Sequence, residues 1–261
     1  MNPPTHKPFE YPAEVEALVP PASFLSECEQ FGLAFEPGEL EQLGRFLDFL
    51  LKVNEVMNLT AIREPEEAWL RHIFDALTLL PLLEELPDGS QVADVGSGGG
   101  LPAIPLAIAM RGVRFTLIES TAKKADYLSA AVAVLGLKNV EVLHKRAEEV
   151  GQDFRGTRER FDAVTARAVG RMPMLLELTV PLAKAPEGDT PAGRVILVKG
   201  EQAERELAEA KQALYLLHAA HIGTVETPTG RLLVIEKLRK TPRTFPRAVG
   251  EPKRAPLGGV R

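Results

Sequence analysis

Asp94-Val95-Gly96-Ser97-Gly98-Gly99-Gly100 is the stretch whose residue types and spacing bear most directly on chemistry. It follows a short apolar run, 91–95, and precedes a helix-like run, 101–110. A buried strand, a glycine turn and a helix start in that order make a loop suited to a nucleotide. Glycine takes positive φ there and lets a ligand come close to the backbone. A dinucleotide loop has the spacing G-x-G-x-x-G. Counted from Gly96, the last position of that pattern falls on Leu101, so the pattern breaks.

The pattern present is D-x-G-x-G-x-G, the loop of S-adenosylmethionine (SAM) methyltransferases. In a doubly wound sheet, ligands bind beyond the carboxyl ends of the strands, so the residues at each strand end carry the next signal. The first strand ends at Asp94 and the loop. The second ends at Glu119, placed to grip two ribose hydroxyls. The third is followed by Ala147-Glu148, and the fourth ends at Thr165-Ala166-Arg167-Ala168. Asp94, Glu119 and Glu148 are expected to face one crevice. Such a crevice repels a pyrophosphate and attracts a sulfonium and an α-ammonium. Arg167, at the end of an apolar strand, is either a structural ion-pair partner or a group held over the ligand.

The elements that must position these residues follow from periodicity. Strand candidates are 91–95, 115–118, 140–143, 161–165 and 194–198, with helix candidates 101–110, 121–135, 172–184 and 202–217 between them. That alternation predicts a parallel sheet covered on both faces. The last two candidates, 221–225 and 231–236, are joined by Glu226-Thr227-Pro228-Thr229-Gly230, short enough to require an antiparallel hairpin. Upstream, Ser23 can cap a helix running through Phe31, a second helix starts near Pro37 and Glu39, and a third covers 65–83. The expected fold class is α/β: a doubly wound, Rossmann-like SAM methyltransferase fold. It comprises a mainly parallel seven-stranded sheet, a closing antiparallel hairpin and an N-terminal helical cap. The expected divisions are a proline-rich extended lead (1–22), the cap (23–86), the SAM-binding domain (87–238) and a basic tail (239–261).

The chain has 261 residues, enough for one large domain with a small appendage. Its single cysteine, Cys28, allows no intrachain disulfide. There is no membrane-length apolar run and no secretory leader, so a cytoplasmic location is expected. Net charge is −5, yet Arg239, Lys240, Arg243, Arg247, Lys253, Arg254 and Arg261 crowd the end of the chain against one acid, Glu251. A basic arm on an acidic body suits a polyanion partner. His72, His144, His218 and His221 lack ligand spacing, so no metal is expected.

Beyond the loop, several strings occur together. They are Asp94 through Leu101-Pro102-Ala103-Ile104-Pro105-Leu106-Ala107-Ile108, Met57-Asn58-Leu59-Thr60-Ala61-Ile62 and Arg71-His72-Ile73-Phe74-Asp75. With them come Lys123-Lys124, Arg146-Ala147-Glu148, Ala166-Arg167-Ala168, Lys199-Gly200 and the Pro-Arg-rich end. Over about residues 25–257 the chain resembles the bacterial 16S rRNA guanine-N7 methyltransferase family RsmG, also called GidB. It departs from that family's pattern at Ala103, where glycine is common, and at Ala125-Asp126-Tyr127-Leu128, after the lysine pair.

The resemblance implies SAM contacts at Gly96, Leu101, Glu119, Ser120, Thr121, Ala147, Glu148 and Arg167, to which the loop adds Asp94, Ser97, Gly98 and Gly100. It implies methylation of N7 of one guanine in 16S rRNA; the expected partner is 16S rRNA or a 30S particle, and a monomer is expected. N7 carries a lone pair and no proton, so direct displacement needs no general base. Methylation of cytosine C5 would want a nucleophilic cysteine, and Cys28 is badly placed for one. Arg167 is expected to be the catalytic group that holds the guanine or its phosphate. Lys123, Lys199, Arg243, Arg247, Lys253 and Arg254 are expected to meet RNA, so removing 241–261 would weaken RNA binding and spare SAM. Three rivals are an NAD-dependent oxidoreductase, disfavoured by the broken fingerprint, a non-catalytic RNA-binding protein with a relic SAM fold, and a methyltransferase for a small molecule or a protein, disfavoured by the basic tail.

Overall fold

The apolar runs pair side by side as their period predicts. A computed structural model of the chain describes residues 10–167, 170–188 and 190–258. Residues 1–9 of the lead, Ala168, and residues 259–261 of the tail lie outside the described residues. The strands are β1 (Gln91–Val95), β2 (Arg114–Glu119), β3 (Val140–His144), β4 (Ala163–Arg167), β5 (Arg194–Lys199), β6 (Ala219–Thr227) and β7 (Gly230–Lys237). They form one sheet in the order β3-β2-β1-β4-β5-β7-β6. β1 through β5 run parallel, while β7 pairs antiparallel with both β5 and β6. β7 is thus the one reversed strand, because Pro228 and Thr229 alone connect it to β6. The chain order reverses direction across the sheet between β1 and β4, which opens a crevice at their carboxyl ends.

Helices cover both faces. On one side α1 (Ala22–Gln30) and α2 (Glu39–Met57) begin the cap. Ser23 does not cap α1. The helix starts two residues earlier, with Pro21 in the N-cap position and no side-chain cap, because proline's ring already holds φ near the helical value. The single helix expected over 65–83 is instead a series of short pieces. These are α3 (Pro65–Ala68), a π-helical turn over Trp69–Phe74, α4 (Asp75–Leu77) and α5 (Leu80–Leu83). Pro81 sits at the start of α5, where its missing N–H costs nothing. The π turn widens the helix by one residue per bond, a device often found where a helix serves a site. The described part of the lead, from residue 10, is extended and packed. Glu16 donates its N–H to Asp48 Oδ2 at 2.9 Å, and Tyr11 lies against Phe49 with ring centroids 6.2 Å apart. A Cβ at Gly44 would come within 2.3 Å of the Leu18 carbonyl oxygen, so the strap lies directly on α2.

Within the alternating part, α6 (Ala103–Ala109) and α7 (Ala122–Leu135) lie on the cap side, and α2 packs across both. One apolar cluster runs from Phe24, Phe46 and Trp69 of the cap to Leu117, Ile196 and Leu232 of the sheet. α8 (Ala147–Gln152), α9 (Met172–Thr179), α10 (Ala203–Glu209) and α11 (Lys211–Leu217) follow in chain order. A second cluster, on the other face, joins Val95, Ile118 and Val164 to Leu175, Leu176 and Leu217, and Leu257 of the tail belongs to it. The sequence reading passes over α8, whose start is marked by Glu149 reaching back to the Arg146 N–H at 2.9 Å. The tail does not trail away. It folds onto the second face and ends in α12 (Glu251–Arg254).

Candidate functional site

Strand β1 delivers the glycine loop to the mouth of the crevice. Gly96, Gly98 and Gly100 have φ of 74, 53 and 84°, values that side chains disfavour. At Gly100 a Cβ would also meet Ile104 Cδ1 at 2.5 Å, so the start of α6 requires glycine there. Tyr127 of α7 donates its hydroxyl to the Gly99 carbonyl at 3.2 Å, and Ser97 donates Oγ–H to the Asp94 carbonyl at 3.0 Å. The loop is therefore held in shape by its own protein.

The three acids do not share one crevice in the way their positions suggest. Asp94 is 1% exposed; its Oδ1 accepts the Thr165 hydroxyl at 2.8 Å, while its Oδ2 has no partner among the described residues. Side chains alternate along a strand. Asp94 therefore points with Val92 toward the cap face, and Val95 points to the other. Burial pushes the Asp94 carboxyl up to about 6, and the neighbouring Ser97 and Thr165 hydroxyls and the Arg167 charge only partly offset it. Glu119 turns onto the loop, where Oε2 accepts the Gly98 N–H at 3.1 Å and Oε1 the Thr121 N–H at 2.7 Å. Each oxygen keeps a further lone pair for a ligand. Glu148 alone of the three lines the adjoining cavity.

That cavity has a volume of about 380 Å³. Val95, Ile118, Met174 and Leu178 give it apolar walls; Gly96, Ser120, Ala147 and Glu148 give it a polar edge. Lys145, Arg146 and Lys253 stand at the same cavity. Apolar walls with a few convergent polar groups suit a flat heterocycle. A second cavity, of about 640 Å³, lies at the opposite end of the sheet among Gln91, Arg111, Arg114 and Asn139. It is larger but lies at the amino ends of the strands, away from the glycine loop, where the fold does not converge on a ligand.

Arg167 ends β4 on the same face as Asp94 and Thr165. Its Nη1 donates to Asp75 Oδ2 at 2.8 Å and to the Arg71 carbonyl at 3.3 Å. Asp75 also accepts the Thr229 hydroxyl at 2.5 Å, so one carboxylate ties together the cap, β4 and the β6–β7 turn. Beside it His72 meets Thr60 Oγ1 at 2.7 Å, and Thr60 receives its own anchor from Asn54. Burial and the Arg167 charge push His72 down to about 4, so the ring is neutral. The sequence reading assigns none of Asn54, Thr60, His72, Asp75 or Thr165 to the site. The only available signal is that most of them fall within strings of the resemblance.

The expected RNA contacts divide. Lys123, Arg243, Lys253 and Arg254 are exposed. Arg243 stacks 5.2 Å over the Phe154 ring, and Arg254 reaches Glu251 at 3.4 Å. Lys199 and Arg247 are instead engaged inside the protein. Lys199 Nζ binds Glu206 at 2.6 Å and the Gly170 carbonyl at 2.8 Å, with its side chain 10% exposed. Arg247 binds Glu177, which is fully buried. A cation enclosed by its own carboxylate has little charge left for a phosphate.

Among the described residues no group of three or more His, Cys, Asp or Glu side chains could hold a metal ion. Among them too, no helix is long and apolar enough to cross a membrane.

A family model described as rRNA small subunit methyltransferase G matches residues 39–233. Ribosomal RNA small subunit methyltransferase G of Sorangium cellulosum is 49% identical over 230 residues, covering 88% of this chain and 92% of that protein. The protein of the same name from Lactobacillus helveticus is 38% identical over 246 residues, covering 91% and 99%. With the glycine loop at the switch point of the sheet and these matches over most of its length, the chain belongs to the rRNA small subunit methyltransferase G family.

Proposed function

We propose that the crevice at the carboxyl ends of β1, β2 and β4 holds SAM and presents its methyl group to N7 of a guanine in 16S rRNA. The observation that carries this reading is the clasp of Glu119 across the glycine loop, beside a half-apolar cavity edged by Glu148. The residues fit the group. A carboxylate with spare lone pairs suits a ribose diol. A cavity walled by Ile118, Met174 and Leu178 suits an adenine ring. The unpartnered, buried Oδ2 of Asp94 supplies negative potential beneath a cationic ligand.

When bound, SAM supplies an electrophilic methyl carbon on a sulfonium. The guanine N7 lone pair forms the new bond as the carbon–sulfur bond breaks, leaving a thioether and a cationic base, with no proton to remove. The protein's task is therefore alignment, which can supply several kcal/mol. Gly96 to Gly100 fix one substrate through the backbone. Arg167, held by Asp75, stands at the end of β4 to place the other. N7 lies in the major groove, which is deep and narrow in A-form RNA, so the target base is taken from a loop or flipped out. Lys145, Arg146 and Lys253 stand at the opening and suit its phosphates.

The test is transfer of labelled methyl from SAM to 16S rRNA and to 30S particles, followed by mass-spectrometric mapping. A single 7-methylguanosine is expected, with turnover falling about 100-fold in Arg167→Ala. Methylation of another base atom, or normal turnover in that variant, would overturn the site assignment.

A further inference from the structure

The basic end of the chain carries a second role that its charge conceals. Glu177, on α9, is fully buried, and among the described residues every hydrogen bond its carboxylate accepts comes from one residue. Its Oε1 accepts the Arg247 backbone N–H and Nε–H, each at 2.9 Å, and its Oε2 accepts Nη2–H at 2.6 Å. The same Nη2 donates to the Ala255 carbonyl at 2.8 Å. One guanidinium therefore fastens both ends of the segment 247–255 to a buried acid. Between those ends lie Gly250 and Lys253, and both line the 380 Å³ cavity. Gly250 has φ of 82°, and its N–H donates to Glu148 Oε1 at 3.0 Å.

The approach to this segment is anchored just as firmly. Arg158 Nη1 donates to the carbonyls of Gly151 and Phe245, and Nη2 to those of Thr241 and Pro242. A Cβ at Gly151 would lie 2.7 Å from Pro246 Cγ, so the tail is seated where only glycine fits beneath it.

The geometry points to Arg247 as a positioning residue for SAM, acting through Glu177 and Gly250 on Glu148. The tail forms one wall of the cofactor cavity. With Oε1 occupied by the Gly250 N–H, Glu148 presents Oε2 to the cavity in a fixed orientation, ready to accept an N–H of the bound heterocycle. This inference rests on the SAM reading above and corrects the expectation drawn from charge alone: losing residues 241–261 removes cofactor affinity as well as cations.

The experiment uses the full chain and measures SAM affinity by titration calorimetry, with RNA affinity across a salt series at saturating SAM. Arg247→Ala is expected to weaken SAM at least tenfold and to leave the salt slope of RNA binding unchanged. Arg254→Ala, an exposed cation, is expected to lower that slope by about 0.7 and leave SAM affinity alone. Because Arg247→Ala strands a buried carboxylate, the paired variant Glu177→Leu with Arg247→Leu decides the matter if the single variant does not fold. The apolar pair removes the staple and strands no charge, so SAM affinity at least tenfold weaker with an unchanged salt slope supports the role. A slope reduced by about 0.7 in either variant, or native SAM affinity in either, overturns it. If the wild-type protein itself binds no SAM, the parent reading fails instead, which keeps the two failures distinct.

Discussion

The two segments outside the strand–helix alternation are attached to opposite faces of the sheet by different physics. The N-terminal cap buries Phe24, Phe46, Phe49 and Trp69 in a continuous apolar cluster, with Phe24 and Trp69 ring centroids 4.7 Å apart. Among the described residues, the C-terminal segment puts only Leu257 among the buried residues of the opposite cluster, with Phe245 packed against it. It is held instead by charged groups, with Arg247 on Glu177, Glu159 accepting the Thr241 N–H at 3.0 Å, and Arg158 on the carbonyls of Thr241, Pro242 and Phe245. Hydrophobic burial is non-directional and tolerates small shifts. Ion pairs withdrawn from water are stable only in good geometry. Each mode suits what its segment delivers. The cap fixes a broad surface and the Asp75 that holds Arg167. The tail must place one backbone N–H, that of Gly250, on one oxygen of Glu148.

Four substitutions probe this contrast, in order of decreasing effect. Phe46→Ala and Glu177→Ala should each cost about 3–5 kcal/mol in urea unfolding, the first by leaving a cavity and the second by stranding Arg247. Only the second loss should be recoverable by a polar partner, through the Glu177→Gln, Arg247→Gln pair. Equal, unrecovered losses would erase the distinction between the two faces.

Asp94 lies under the cap face, where the environment is dry. Its carboxyl is raised from 3.8 to about 6, so between those values the folded chain holds a proton that the unfolded chain has released. Stability should therefore fall as pH rises from about 4 to about 6, by up to roughly 3 kcal/mol at 1.36 kcal/mol per unit. Asp94→Asn should flatten that profile, gain stability at pH 7 and weaken SAM. Because a cationic ligand favours the ionised acid, SAM affinity of the wild type should tighten as pH rises through about 6. Calorimetry at pH 5 and pH 7.5 measures this, and a pH-independent affinity would detach Asp94 from the site.

The smallest effect is expected at Asp75→Asn. It removes the charge that holds Arg167 while keeping the shape and the Thr229 contact. Turnover on rRNA should drop about tenfold, roughly 1.4 kcal/mol, with SAM affinity within twofold. Weakened SAM binding instead would place the cap network on the cofactor side of the reaction.

The strands were legible because their signal is local. Apolar runs of strand length bounded by turn residues mark all seven, within about two residues at each end, and the short Pro228-Thr229 connection fixes which strand reverses. The glycine loop was legible for the same reason, since three positive-φ positions need three glycines at fixed spacing. Helix 65–83 was not, because a π turn depends on what packs against it rather than on period.

By itself, then, the sequence determined the α/β class, the sheet's membership and the loop that selects the ligand. Tertiary structure decided what each charge does. Glu119, Glu148 and Asp94 have similar side chains at neighbouring strand ends, yet one clasps the loop, one lines the cavity and one is sealed against Thr165. Arg167 and Arg247 find carboxylates on elements far away in the chain. Backbone period is written over a few residues; the partner of a charge is set by which distant surfaces exclude water together, and only the packed fold brings those surfaces into contact.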